Sequence, residues 1–194
     1  IAVEEARNAV GRDLAIASDR LSQLVNERLH LVEGLAAFRR SRPAFTEAEF
    51  QDFAAALENE RADILSLQLA PSGIVRYVSR PDRNAGVLGH DLLADPTRAA
   101  LAREAIAERR YMIVGPIDLI QGGNAIVARK PLFIADDTAD EAFWGFATIL
   151  LDTRALLEAA GLARIEQSLQ VGLRGKDAHG AEGAGVDGRV GVVS

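Results

Sequence analysis

The chain has 194 residues, a formal net charge of −6 and no cysteine, which rules out disulfides, thiolate metal sites and cysteine nucleophiles. An acidic pI near 5.1 argues against a nucleic-acid surface, which needs clustered Lys and Arg, and 26% charged with 48% hydrophobic residues is the composition of a folded globular protein. The longest apolar run, Ala142 to Leu151, is about half of the ~20 residues that a membrane-spanning helix requires.

Taken in chain order, apolar residues at Val3, Val10, Leu14, Ala17, Leu21, Leu24, Leu31, Leu35 and Phe38 alternate three- and four-residue steps. They predict one unbroken helix from about Val3 to Phe38, with Arg7 and Arg28 at two seam positions. Two roles are open to it: a core helix lying across a domain, or a stalk that dimerises and carries a signal. Arg39, Arg40 and Arg42 read as the solvated C-terminal end of this helix. Phe45-Thr46-Glu47-Ala48-Glu49-Phe50 is a capping box, with Phe45 placed to staple onto Phe50, and predicts a helix over 47–59.

From Ile64 the period changes to two, predicting a strand with Leu65, Leu67 and Leu69 on one face and Ser66 and Gln68 on the other. Pro71-Ser72-Gly73 turns the chain into a second strand, 74–79, and a loop runs on to Asp95. Asp95-Pro96 signals a helix over 96–109. Three strands follow, about 112–120, 125–134 and 143–151, and Asp152 caps a short helix ending near Gly161. The pattern predicts an α+β domain on an antiparallel sheet. After Gly172 the chain is rich in glycine and its pattern thins.

The runs Leu69-Ala70-Pro71-Ser72-Gly73, Gly89-His90-Asp91-Leu92-Leu93, Gly115-Pro116, Gln121-Gly122-Gly123 and Phe143-Trp144-Gly145 together resemble the CHASE family, extracytoplasmic sensor modules of bacterial histidine kinases, diguanylate cyclases and phosphodiesterases and of the plant cytokinin receptors. The resemblance implies a PAS-like five-stranded antiparallel sheet with flanking helices, one face open to hold a ligand. It implies stalk and linker helices over 1–60, a distal PAS-like ligand-binding domain over 61–152, and over 153–194 the start of a second, membrane-proximal PAS-like unit that stays incomplete. The opening at Ile1, already inside a helical pattern, reads as that of an excised fragment.

By the same resemblance Asp91 is the best single candidate for ligand recognition, beside a helix start where free amides favour an acceptor. Its alternative role is to cap local amides and hold the loop. Ile113 matches an apolar pocket residue, and Gln121 and Gly122 fall where the receptors have a polar contact. Tyr77 and Arg129, read from their own strands, are further ligand-binding candidates if they point into the cavity; the alternatives are a surface hydroxyl and a solvent-facing guanidinium. Trp144 reads as core. Where the family has a Tyr-Pro pair and an acidic stretch, this chain has Ser79-Arg80-Pro81-Asp82-Arg83-Asn84, and two added charges near the pocket would shift preference toward anions.

For catalysis the inventory is poor. His30, His90 and His179 form no pair at metal-ligand spacing, Gly172-Leu173-Arg174-Gly175-Lys176 lacks the spacing of a phosphate loop, and no Ser sits in a nucleophile elbow. The expectation is therefore not an enzyme but a periplasmic ligand-sensing domain of a membrane-anchored bacterial receptor, with no metal, cofactor or nucleic acid. It binds a small molecule over the sheet, signals through the stalk helix and forms a homodimer through that helix. The alternative is a structural dimerisation or interaction module with no ligand.

Overall fold

The computed structural model describes residues 2–119, 122–135, 141–162, 172–174 and 191–193. Helix α1 (Ala2–Ser41) is continuous for 40 residues, roughly 60 Å at ~1.5 Å per residue. Ala17, Leu21, Val25, Val32, Leu35, Ala36 and Phe38 are all buried, and with the sheet and the C-terminal helix they form one core cluster. The stripe from Ala17 to Phe38 is thus consumed within the chain: α1 is a core helix over that length, because the apolar face of the sheet is the partner it covers.

Helix α2 (Glu47–Glu58) starts as its capping box dictates: the Glu49 amide donates to Thr46 Oγ1 (3.2 Å), and the Thr46 amide donates to the Glu49 carboxylate (2.8 Å). The rings of Phe45 and Phe50 meet on Tyr77, at 4.8 and 5.5 Å between centroids.

Strands β1 (Ile64–Pro71), β2 (Tyr77–Val78), β3 (Met112–Asp118), β4 (Asn124–Ala135) and β5 (Glu141–Asp152) make an antiparallel sheet in the order β2-β1-β5-β4-β3. A register shift between Ile64 and Ser66 breaks the expected alternation. Leu67 and Leu69 join Ile64 on the α1 face, while Leu65 packs into a separate cluster on the other side.

The second strand is shorter than its sequence predicts. Val75 bonds the loop instead of a strand, its amide donating to the His90 carbonyl (3.0 Å) and its carbonyl accepting from the Gly89 amide (2.8 Å). Only Tyr77 and Val78 pair with β1, and Ile74 makes an isolated bridge to Asp91.

The loop continues through α3 (Pro81–Asn84) and a 3-10 turn (Ala85–Val87) to α4 (Ala99–Glu108). Helix α4 begins three residues later than the Asp95-Pro96 signal suggests. Asp95 spends its carboxylate on the Thr97 amide (2.8 Å) and hydroxyl (2.7 Å), closing a tight turn before the helix. Asp152 caps α5 (Thr153–Ala159) as expected, accepting from the Ala155 amide at 2.7 Å. Short strands β6 (Gly172–Arg174) and β7 (Gly191–Val193) pair with each other. Most of the expected membrane-proximal unit lies outside the described residues.

Two corrections concern the arginines. Arg39 is not a solvated helix end: its guanidinium lies 4.4 Å over the half-buried Trp144 ring, and burial holds its pKa below the usual guanidinium value. Arg80 and Arg83 do not line the hollows between α4 and the sheet described below. Arg80 turns back to the buried Glu58 carboxylate (2.9 Å) and the Ile64 carbonyl (2.5 Å), while exposed Arg83 sits beside Asp82.

Candidate ligand site

In an antiparallel sheet, residues opposite each other project to the same face, and successive residues alternate. The pairs Gln68↔Thr148, Thr148↔Arg129 and Arg129↔Met112 therefore place Gln68, Thr148, Arg129 and Met112 in one row across the face that α1 does not cover. Around them lie Phe146, Leu150, Val127, Val114 and Ile117, all buried. Helix α4 covers this face with the small side chains Ala99, Ala102 and Ala105 inward.

The row is polar where a core would be apolar. Gln68 and Thr148 are 2% and 1% exposed. Among the described residues Gln68 Nε2 finds only Ser66 Oγ at 3.4 Å, and Thr148 Oγ1 finds no hydrogen-bond partner. Arg129 is 6% exposed; its Nε and Nη1 are buried, and no side chain or carbonyl among the described residues bonds or pairs with it. Burial, with the nearby Arg98 charge and against that of Asp95, brings its pKa down to about 10, so it remains a cation at neutral pH. An unpaired buried charge is costly, and natural proteins keep one where something else completes it.

A cavity of about 200 Å³ opens beside this guanidinium, lined by Thr97, Arg98, Leu101, Met112, Val114, Ile117, Asp118 and Arg129. A second hollow of about 260 Å³ shares Leu101, Met112 and Val114 with it and continues toward Arg110 and Tyr111. Arg110 is neutralised there by Glu104 and Glu108, so only the first hollow holds an uncompensated cation.

Asp95 organises the rim. Its carboxylate takes Thr97, pairs with Arg98 Nη1 at 3.1 Å, and has His90 Nε2 at 3.1 Å without a hydrogen bond to it. Burial pushes its pKa up, but the Thr97 hydrogen bonds and Arg98 outweigh that and hold it at about 2, against an ordinary 3.8. The sign follows from the depressed value: the unfolded chain takes up this proton near pH 4 and the folded one resists until about pH 2, so the contribution is complete above pH 4 and drains away below it. Asp95→Asn is expected to flatten that part of the profile. Urea midpoints at pH 2.5, 3, 4 and 5 check it; equal acid slopes for variant and parent would refute this role of Asp95.

The other side of the sheet is wired to α1. Lys130, next to Arg129 on β4 and so facing the opposite way, grips Glu33 of α1 with Nζ at 2.5 and 2.6 Å from the two carboxylate oxygens. The Tyr111 hydroxyl donates to the same carboxylate at 2.5 Å, one residue before the cavity residue Met112. Burial raises the Glu33 pKa, yet the Lys130 and Tyr111 bonds prevail and it ends below its ordinary value.

Of the residues singled out in the sequence, Arg129 is the one that lines this cavity. Asp91 holds its own loop: Oδ1 accepts from the Leu93 (2.9 Å) and Ala94 (3.1 Å) amides, and Asp91 is not among the lining residues. Ile113 pairs with Ala128 on the α1 face, although it borders the second hollow. Tyr77 lies on the α1 face too, opposite Leu69 and against Phe45 and Phe50. Gly122 has a positive φ and donates its amide to the Leu119 carbonyl at 3.0 Å, beyond Asp118 at the end of β3. Gln121 lies outside the described residues.

Sequence reasoning missed Arg98, Thr97, Leu101 and Asp118 as neighbours of Arg129. Alternation was the available signal: Arg129 follows Val127 on a strand whose other face, Ile126 and Ala128, is apolar. Among the described residues no cluster of three or more His, Asp or Glu has the arrangement of a metal site, and no helix is long and apolar enough to cross a membrane.

Solved structures share the fold. The extracellular domain of a proposed histidine kinase superposes with a TM-score of 0.63 at 15% identity, over 98% of this chain and 76% of its own. The sensor domain of the V. cholerae histidine kinase DctB gives 0.58 at 13%, over 89% and 64%. An extracellular ligand binding receptor from Desulfohalobium retbaense gives 0.58 at 15%, over 82% of this chain but only 28% of the receptor. The chain thus spans less than two thirds of two of these relatives. No curated protein matches it. These likenesses establish a PAS-like fold, with a long N-terminal helix and a five-stranded antiparallel sheet. The CHASE domain family model matches residues 72–186, more than half of the chain and all of the cavity-lining strands and helix, and the chain belongs to that family.

Proposed function

We propose that this chain is the extracytoplasmic, periplasmic ligand-sensing domain of a membrane-anchored bacterial receptor, that a small molecule binds between α4 and the sheet, and that occupancy is passed to α1. The observation that carries the reading is the Arg129 guanidinium, buried at the wall of a cavity with no partner for Nε and Nη1 among the described residues. A scaffold has no reason to bury a charge beside an empty space; a binding site has one. Membership of the CHASE family and the likeness to solved sensor and receptor domains support the same function.

Transmission follows from strand geometry. A ligand that moves β3 and β4 by pulling on Arg129 also moves Lys130 and Tyr111, and both hold Glu33 of α1. The signal equals the difference in ligand affinity between two arrangements of this linkage, no more. The homodimer expected through the N-terminal helix then has to use a surface other than the Ala17–Phe38 stripe; the earlier turns, where Ile16 is 52% exposed, offer one. Asp91 enters this reading as the residue that shapes the loop before α4, and Gly122 as part of the turn at the far end of β3.

A thermal-denaturation screen of metabolites, neutral and charged, tests the reading. A binder must raise the melting temperature, by about 2.7 kcal/mol of stabilisation at 100 times its Kd. At least one compound is expected to do so in the parent and to lose the effect in Leu101→Trp, which fills the cavity. A broad screen with no stabilising compound would leave the interaction-module alternative standing.

A further inference from the structure

We propose that the ligand is a small monocarboxylate with a short aliphatic body, its carboxylate seated on Arg129 and its carbons on Leu101, Met112, Val114 and Ile117. This inference rests on the sensing reading above and narrows it to a chemical class. Arg129 presents a cationic fork whose buried Nε and Nη1 have no acceptor among the described residues, and a carboxylate is the planar acceptor that such a fork matches.

The charges around the cavity fix the ligand's valence. Arg98 is already committed to Asp95, which leaves one positive charge to satisfy. A dicarboxylate or a phosphate dianion would set a second negative charge against the apolar side chains of Leu101, Met112, Val114 and Ile117 or beside the Asp118 carboxylate. An amino acid is disfavoured by register. Asp118 is the lining carboxylate left to receive an ammonium, but it pairs with Asn124, five residues along β4 from Arg129. Asp118 is moreover exposed at the end of β3 and already accepts from Asn124 Nδ2 at 3.2 Å, so an ammonium there would be met by a solvated, partnered carboxylate. Size sets the remaining limit: about 200 Å³ is below the ~300–1,000 Å³ of drug-sized pockets.

The experiment uses the whole chain at fixed ionic strength, with melting temperature and isothermal titration as readouts. The probes are sodium propionate, butyrate and pyruvate, the matching neutral amides propionamide and butyramide, and alanine, succinate and inorganic phosphate. One or more monocarboxylates are expected to raise the melting temperature while their amides do not. Arg129→Met and Arg129→Gln, each checked for native circular dichroism, are expected to weaken that binding about 10- to 100-fold.

Equal stabilisation by butyramide and butyrate overturns the proposal, as does a carboxylate response that survives in Arg129→Met. Preference for alanine, succinate or phosphate over every monocarboxylate overturns it too. In any of these cases a response that Leu101→Trp abolishes keeps the sensing reading intact, whereas silence across the wider metabolite screen defeats both.

Discussion

Replacing Gly145 by alanine is expected to cost about 3–5 kcal/mol, enough to leave the domain largely unfolded at 37 °C if its stability lies at the low end of the usual ~5–15 kcal/mol. Gly145 lies in β5, the central strand, opposite Pro71 on one side and Leu132 on the other. A Cβ there would come within 2.2 Å of the Ala70 carbonyl oxygen and 2.8 Å of the Pro71 Cα, both of them backbone atoms held by the strand ladder. Neither can step aside without opening β1 from β5. This packing explains the Phe143-Trp144-Gly145 run that the sequence marks as a signature: the glycine is where two backbones touch. Gly86→Ala is the control, since a methyl there meets nothing within 4 Å and shortens the unfolded chain's list of conformations. Urea midpoints of the two variants measure the contrast, and a Gly145→Ala domain as stable as the parent would sink the close-approach account.

Arg129→Met is expected to do the opposite, raising the stability of the ligand-free domain by about 1–3 kcal/mol, or roughly 2–4 °C in melting temperature for each kcal/mol. In the parent, folding strips water from Nε and Nη1 of the guanidinium and gives them no hydrogen bond from the described residues in return. Methionine keeps most of the apolar stem and fits among Met112, Val127 and Leu150 without the charge. The gain is a stability–function trade, and it reverses when a ligand occupies the cavity: the parent then gains from the anion and the variant does not. Arg129→Met melting below the parent in ligand-free buffer would mean that the guanidinium stabilises the fold itself, and the argument from its burial would fail.

Much of the fold is written locally. The capping box at Thr46, the Asp152 cap, the period-two strands and the 40-residue helix are each decided by neighbours within a turn or two, so their residues announce them. Errors gather where a non-local partner intervenes. Residues 74–76 have strand character, yet His90 and Gly89 reach Val75 first. Leu65 alternates with Ser66 in the sequence, and a bulge then turns it to the other face. Arg39 reads as a solvated helix end until Trp144 of β5, distant in sequence, arrives beneath it.

By itself, then, the amino-acid order determined the α+β class, the CHASE relationship and the presence of Arg129 on a sheet strand. Only the tertiary structure decided which face each strand residue would present. That choice separated Arg129, over the cavity, from Ile113 and Tyr77 on the α1 face, and set Asp91 in the loop before α4, where Oδ1 accepts from the Leu93 amide. The physical reason is that a strand's two faces are equivalent until something packs on one of them. In this molecule α1 takes the face of Leu67, Ile126 and Ile149, and whatever remains on the other face, a guanidinium included, becomes the wall of the site.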